Sequence, residues 1–273
     1  TRFIVLTAGS FMNALLPLVI FAVLFMVPRQ TVVGDVVVRE VAPGSPAEAA
    51  GIRPGDIIFK VDGRPIENNL DLSYAIQLRL GATSHWEVER GRTERIVTVV
   101  PRWKPPVQQT PEGPVREGPT GIRIETINAR LVQRSDPFWE AIPKAAMRIG
   151  EVMVLAKNEV TKWIIGASQV QVAGPIGIAQ MSGEVARQGI VPLLEFAALL
   201  SINLAILNIL PIPALDGGRL MFVVLEWVRR GKRIPPEKEG LIHLVGFALL
   251  ITLVVVISYV DIQRILRGES FTP

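Results

Sequence analysis

Long stretches without charge alternate with polar segments along the chain, and the uncharged stretches predict membrane-spanning helices. They cover residues 3–28, 196–215 and 240–260, with His243 taken as neutral. A helix rises about 1.5 Å per residue, so roughly 20 apolar residues cross the hydrocarbon layer of a bilayer. We therefore predict spans at residues 1–29, 191–215 and 240–261, followed by a tail at 262–273. A signal peptide is the alternative for the first stretch, although the stretch is long for one and residues 23–30 lack a small-residue cleavage pattern.

Between the first two spans, shorter apolar runs separated by turn residues predict a small α+β domain at residues 31–103. The β-branched run 35–41 predicts a strand, and residues 45–50 predict a short helix after a turn. A second strand follows, then apolar positions at helical spacing over 70–80, then a hairpin that turns at Gly91. The predicted fold class is a polytopic α-helical membrane protein with an inserted α+β domain.

Two further segments separate this domain from the second span. Residues 104–136, which begin rich in proline and poor in apolar side chains, are predicted to be a linker or a loop over the domain surface. Residues 137–190 contain apolar positions at helical spacing opposite a charged face, then GPIGI at 174–178, which opens another short helix. An amphipathic helix of this kind can lie on a bilayer surface or pack against the spans, and the pattern leaves both open.

The distribution of charge orients these predicted spans. The chain has a formal net charge of +4 and no cysteine, which excludes disulfides and thiolate metal sites. Residues 216–239, a predicted loop, carry six Lys or Arg residues, and the positive-inside rule places such a loop in the cytoplasm. The inserted domain is then extracytoplasmic. No basic patch is interleaved with aromatic residues, so nucleic-acid binding is not expected.

The second span ends in an unusual way. Pro211 and Pro213 each remove a backbone donor and stop the helix, and Asp216 follows them. A carboxylate at membrane depth costs roughly 2.5–3.5 kcal/mol unless it is paired or binds a metal. Asn203 and Asn208 add polar groups to the same span. The pattern fits a polar site inside the bilayer, and it fits equally a cytoplasmic helix end at which two glycines make a turn.

The stretch NILPIPALDGG, residues 208–218, resembles a motif of the site-2 protease family of zinc-dependent intramembrane proteases, Asn-x-x-Pro-x-Pro-x-Leu-Asp-Gly. The resemblance implies that Asp216 is a zinc ligand and that Asn208 helps to hold the substrate backbone. The other candidate substrate-binding residues are Asn203, Pro211, Pro213 and Gly217.

Two further stretches resemble the same family. AGSFMN, residues 8–13, is similar to its Ala-Gly-Pro-x-x-Asn pattern, with Ser10 in place of the proline, and makes Gly9 and Asn13 structural candidates. GPIGI also recurs in the family, just before the span that carries the aspartate. The resemblance therefore covers nearly the whole chain.

The stretch VAPGSPAEAAGIRPGDIIFKVDGRPI, residues 41–66, resembles a circularly permuted bacterial PDZ domain. Such a domain binds an extended peptide along a sheet edge beside a helix, with the terminal carboxylate on backbone N–H groups. The resemblance implies an edge strand at 35–38, a carboxylate loop before it, and a lining helix at 70–80. The predicted groove residues are Gly34, Asp35, Val36, Val37 and Val38. A closed groove that acts only as a spacer or size filter is the alternative.

In the site-2 protease family, the remaining zinc ligands and the catalytic glutamate come from His-Glu-x-x-His, which puts two imidazoles one helical turn apart. This sequence contains no such motif, and its only histidines are His85 and His243. The chain begins where the family's second span would begin. We therefore expect that the first span is absent, that the zinc site is incomplete with its catalytic residues unknown, and that this chain alone does not hydrolyse peptides.

Together these features predict a zinc-dependent endopeptidase of the inner (plasma) membrane that cleaves single-span proteins within the bilayer, such as anti-sigma factors or leftover signal peptides. Peptide C-termini at the PDZ-like domain would be a second class of partner. A non-catalytic membrane PDZ adaptor is the main alternative. A transport or secretion component would explain the inserted domain but not the Pro-x-Pro-x-Leu-Asp-Gly run.

Overall fold

The computed structural model describes residues 2–110, 113–169, 172–228 and 235–269 of the chain. Its elements in chain order are α1 (Arg2–Met26), β1 (Arg29–Val41), α2 (Pro46–Ala49), β2 (Ile57–Val61), β3 (Arg64–Pro65), α3 (Asn69–Leu78), β4 (Ser84–Arg90), β5 (Thr93–Val99), β6 (Val107–Thr110), β7 (Gly113–Arg116), β8 (Ile122–Arg134), α4 (Phe138–Ile164), α5 (Pro175–Gln188), α6 (Ile190–Ile209), α7 (Asp216–Val228) and α8 (Pro236–Leu266). They fall into two compact units: a helical unit of residues 1–27, 136–152 and 170–273, and a sheet unit of residues 28–135 and 153–169.

The helical unit contains helices of membrane-spanning length. Among the described residues, Ile190–Ile209 and Glu239–Leu266 are long and apolar enough to cross a membrane, and Met12–Met26 of α1 is a shorter apolar helix. Apolar side chains of α8 face outward, with Leu249 66% and Val255 61% exposed. Two of the three predicted spans therefore have the required length and composition in the described part of the chain.

Small residues bring α6 close to α1. Ala198, Ser201 and Ala205 are buried on α6, and small side chains let helix backbones approach closely inside a membrane. The Ser201 hydroxyl donates a hydrogen bond to the carbonyl of Asn13 on α1, at 2.9 Å. α1 also contacts α7, and α6 contacts α7. The three helices that carry Asn13, Asn208 and Asp216 therefore form one packed group.

The predicted loop at residues 216–239 is largely helical, so that prediction was wrong. α7 covers residues 216–228 and α8 begins at Pro236, whereas residues 229–234 lie outside the described residues. Apolar residues recur at helical spacing in LMFVVLEWV, and Phe222 is buried. α8 also extends to Leu266, into the predicted tail. Basic charge predicts the side of a membrane on which a segment lies, but it does not predict the secondary structure there.

The sheet unit is built on a six-stranded antiparallel sheet in the order β5-β4-β2-β1-β8, with β3 paired to β2. β6 and β7 form a separate hairpin. The core of the unit surrounds Trp86, Ile58 and Leu72, which are fully buried. Asn68 caps α3, because its side chain accepts a hydrogen bond from the N–H of Asp71 at 2.9 Å. α3 covers most of the helix predicted at 70–80.

The linker predicted at residues 104–136 is wrong, because the segment contains the β6–β7 hairpin in its first half and a long strand in its second. Residues 122–134 form β8, which pairs with β1 from Arg29 opposite Arg134 to Val41 opposite Ile122. Prolines are concentrated before Pro119, whereas the segment after it alternates apolar and polar residues in IRIE, a strand pattern. The proline-rich stretch obscured this strand. Residues 111 and 112 of the predicted linker lie outside the described residues.

The edge strand predicted at residues 35–38 is also wrong, because β1 lies inside the sheet. Val36 pairs with Ile58 of β2 on one side and with Thr126 of β8 on the other. Gly34 does not form a carboxylate loop. It lies at a register shift between β1 and β8, and a Cβ there would come 2.9 Å from Thr126 Cγ2 and closer still to a β8 carbonyl. The free edge on this side of the sheet belongs to β8.

Candidate active site

The helix break predicted at the two prolines is present, and Asp216 begins the next helix. α6 ends at Ile209, Leu210 is extended, and α7 starts at Asp216. Neither Pro211 nor Pro213 has an N–H to continue the helical hydrogen bonds. The Asp216 side chain is half-buried in the first turn of α7. The free N–H groups at a helix N-terminus favour a negative charge there.

Two glycines allow the first turn of α7 to pack directly on the backbone of the break. A Cβ on Gly217 would lie 2.7 Å from the carbonyl oxygens of both Asn208 and Ile209, and closer to that of Leu210. A Cβ on Gly218 would likewise collide with the backbone carbonyl of Ile212. Any side chain at these positions would push α7 away from α6. The glycines therefore set the position of Asp216 relative to the end of α6.

α8 packs against the loop of residues 210–215 that joins α6 to α7. The Ala214 N–H donates a hydrogen bond to His243 Nδ1 at 3.1 Å. Gly246, one turn further on, lies against Pro213, since a Cβ there would come 2.8 Å from the Pro213 carbonyl carbon and oxygen. The Phe222 ring of α7 meets the imidazole edge-on, with centroids 5.5 Å apart. Sequence reasoning missed this role of His243, although a single histidine inside an apolar run was a signal.

The structure brings most of the predicted site residues together at the α6–α7 corner. Asn208 is half-buried, and its carbonyl lies beside Gly217. Asn203 is exposed and lies about 140° around α6 from Asn208, since each residue turns the helix by about 100°. Asn13 accepts the hydrogen bond from Ser201, and Gly9 lies in α1. The corner therefore holds Asn208, Pro211, Pro213, Asp216 and Gly217, whereas Asn203 faces elsewhere.

The described residues supply only part of what a zinc site needs. A catalytic zinc is held by three protein ligands and keeps one open position. No group of three or more His, Cys, Asp or Glu side chains that could hold a metal lies within the described ranges. The Asp216 carboxylate suits zinc as one oxygen ligand. A carboxylate oxygen is a suitable zinc ligand, but the described residues do not supply the three ligands that a catalytic zinc requires.

Comparison with known proteins decides the family. Residues 1–253 match peptidase family M50. The chain belongs to peptidase family M50. The "zinc metalloprotease RasP" of Geobacillus kaustophilus is 35% identical over 268 residues, which cover 96% of this chain and 59% of that protein. The "regulator of sigma-W protease RasP" of Bacillus subtilis is 31% identical over 261 residues, which cover 95% of this chain and 58% of that protein. The chain thus spans somewhat under two thirds of each of these M50 relatives.

Two solved structures similar to part of this M50 chain are named as PDZ domains. The PDZ domain of an SdrC-like protein from Listeria innocua has a TM-score of 0.25 at 20% identity, and covers 33% of this chain and 92% of that one. The HtrA3 PDZ domain bound to a phage-derived ligand has a TM-score of 0.22 at 26% identity, and covers 27% of this chain and 88% of that one. TM-scores this low are insufficient to establish a common binding site.

In the sheet unit, the start of α3 is joined to β1 through Asn68, whose side-chain amide donates to the Val32 carbonyl at 3.0 Å, and to β8 through Asn69. The N–H of Asn69 donates a hydrogen bond to Thr126 Oγ1 at 3.0 Å, and Thr126 Oγ1 donates in turn to Asn69 Oδ1 at 3.0 Å. A pocket of about 400 Å³ opens beside this contact. Leu70, 80% exposed, lies on its rim. The free edge of β8 and α3 are thus the elements between which an added peptide could lie.

Proposed function

We propose that this chain forms the aspartate-bearing part of a zinc-dependent intramembrane endopeptidase, which acts on single-span proteins in the inner (plasma) membrane. One observation carries the proposal: a helix of membrane-spanning length ends at two prolines, and a half-buried carboxylate starts the next helix against that end. Irregular backbone at membrane depth is tolerated where it is buried in protein or lines a wet cavity. Membership of peptidase family M50 gives this arrangement its chemistry.

In this proposal Asp216 contributes one carboxylate ligand to the metal. The other ligands are proposed to come from outside the described residues, because those residues hold no group of three or more side chains that could bind a metal. Zinc bound at such a site supplies a Lewis acid and a water of lowered pKa. The chain's own contribution is to fix the carboxylate, and the contacts at Gly217 and Gly218 do so.

The broken backbone around Pro211 and Pro213 serves the substrate. A transmembrane substrate helix has to unwind before a carbonyl becomes accessible, and its freed backbone groups then need partners. Pro211 and Pro213 stop the helix, so the backbone of residues 210–215 is non-helical and forms the surface proposed to hold the unwound segment. Asn208 adds a side-chain amide at the same corner, whereas Asn203, about 140° around α6, is not part of this surface.

The sheet unit is proposed to lie outside the cytoplasm and to screen substrates at the β8 edge. Its free edge can accept an extended segment by main-chain hydrogen bonds, with α3 alongside. Peptide C-termini produced by an earlier cleavage are the expected ligands. Exclusion of bulky substrates by the same unit is the alternative, and binding of peptide acids against their amides distinguishes the two.

The test uses the product of the complete gene, reconstituted in lipid with a model single-span substrate. Asp216→Asn should abolish cleavage while the protein remains inserted, because the amide is a poor zinc ligand. Glu195→Gln makes the same chemical change at an exposed position of α6 and should leave cleavage unchanged. Cleavage retained by the Asp216 variant would remove this residue from the mechanism. An inserted wild type that cleaves nothing but binds peptides would favour the adaptor.

A further inference from the structure

We propose that His243 is a positioning residue for Asp216: its neutral imidazole accepts the Ala214 N–H and so holds the loop from which α7 starts. The inference rests on the proposed function for its consequence, although the hydrogen bond itself is a property of the fold. His243 lies on α8, outside the motif that carries the aspartate.

The loop needs such support because Ala214 has an unfavourable backbone conformation. Its φ is 84°, in the left-handed region that an alanine rarely adopts. Residues held there persist only when surrounding contacts fix them, and such residues concentrate at functional sites. Ala214 precedes Asp216 by two residues, so a relaxation at Ala214 would reorient the peptide that leads into α7.

Contacts on several sides fix the imidazole against Ala214. Its Nδ1 accepts the Ala214 N–H, which leaves the proton of the neutral ring on Nε2. Nε2 is buried and has no hydrogen-bond partner among the described residues, and the nearest acidic oxygen, on Glu239, is 4.0 Å away. The Phe222 ring of α7 packs edge-on against it. The ring is therefore oriented by its Nδ1 bond to the loop.

The expected consequence is loss of catalytic geometry at Asp216. A displacement of about 1 Å at a catalytic group can lower a rate by about 100-fold. Removing the Nδ1 acceptor leaves the Ala214 N–H without its partner and frees the loop to relax. The turnover number should fall by about that factor, and because the same loop is proposed to hold the substrate backbone, KM should rise as well.

The first experiment tests the hydrogen bond without any activity assay. The chain contains only His85 and His243, so ¹⁵N labelling of histidine and alanine in lipid nanodiscs gives two imidazoles, assigned with a His85→Asn variant, and also labels the Ala214 amide. The expected spectrum shows His243 with Nε2 protonated, Nδ1 unprotonated, and a coupling across the hydrogen bond to the Ala214 amide. A His243 ring protonated on Nδ1, or without that coupling, would overturn the proposal.

The second experiment uses rescue in the product of the complete gene. The Oδ1 of Asn occupies nearly the position of Nδ1, whereas the acceptor of Gln lies one bond further out. His243→Leu and His243→Gln should lose about 100-fold in turnover, and His243→Asn should recover most of it. Equal activities of the Leu and Asn variants would contradict a positioning role. If the wild type itself is inactive, the proposed function fails, and the spectrum alone decides the His243 contact.

Discussion

Gly217→Ala should disable the site although it adds only one methyl group. The new Cβ would lie 2.7 Å from the carbonyl oxygens of Asn208 and Ile209, whereas ordinary contacts begin near 3.4 Å. The first turn of α7 therefore has to move by about 0.7 Å from these two oxygens, and by more from Leu210. Backbone atoms cannot swing aside as a flexible side chain can. Overpacking of this kind costs about 1–3 kcal/mol of stability.

The effect on cleavage should exceed the effect on stability. A shift approaching 1 Å at Asp216 predicts a loss of about 100-fold in turnover. The assay compares single-turnover cleavage of a model span with thermal unfolding of the same preparation in lipid nanodiscs. The matched control is Gly240→Ala, where a Cβ meets nothing within 4 Å and alanine should stabilise the helix by up to about 1 kcal/mol. If the two variants cleave and unfold alike, the close approach does not set the site geometry.

Three further predictions concern other parts of the chain. Burial alone would raise the pKa of Asp56, but hydrogen bonds from Arg90 and from the Arg53 N–H, with the charges of both arginines, hold that pKa below its usual value of 3.8. The folded state is stabilised at pH values above the pKa that Asp56 has in the unfolded chain, and this stabilisation is lost as the pH falls through the lower pKa of Asp56 in the folded chain. Hydrogen exchange in β2 and β4 should therefore accelerate only below about pH 4. Asp56→Asn should lower the free energy of unfolding by about 3 kcal/mol at neutral pH. This is the lower end of the range for breaking a buried ion pair, because the Arg90 side chain is 24% exposed. An unchanged urea unfolding curve would contradict this prediction. Asn208→Ala should lower cleavage about 10-fold at unchanged expression, as loss of one polar substrate contact does; full activity would exclude a role in substrate binding. Peptides ending in a free carboxylate should bind the sheet unit more tightly than their amides, and Thr126→Pro in β8 should abolish the difference, as measured by calorimetry; a difference that survives places the groove elsewhere.

The sequence predicts the parts of this fold in which one residue class dominates a long stretch. The uncharged runs at 196–215 and 240–260 correspond to α6 and α8, because membrane-spanning length is a simple requirement. The break at Pro211 and Pro213 is equally local, since a missing N–H acts at its own position. The helix that begins at Asp216 was not predicted, since residues 216–239 were expected to form a loop.

Features that depend on distant partners were not predictable in this way. β8 pairs with a strand about 90 residues earlier in the chain, and the alternation that marks it is short and follows a proline-rich stretch. Because β8 pairs with the outer side of β1, Val36 lies on an interior strand of the sheet and not on an edge strand. His243 contacts Ala214 only because α8 folds back on the loop, which no spacing in the sequence indicates.

The measurement that tests the central claim most directly is the zinc affinity of the complete gene product, determined by chelator competition for the wild type and for Asp216→Asn. Loss of an indirect partner of a metal ligand already weakens binding about 10–100-fold, so loss of the ligand itself should weaken it by more than about 100-fold. Glu195→Gln should bind zinc as the wild type does. Equal zinc affinities for the wild type and the Asp216 variant would show that this carboxylate does not bind the metal.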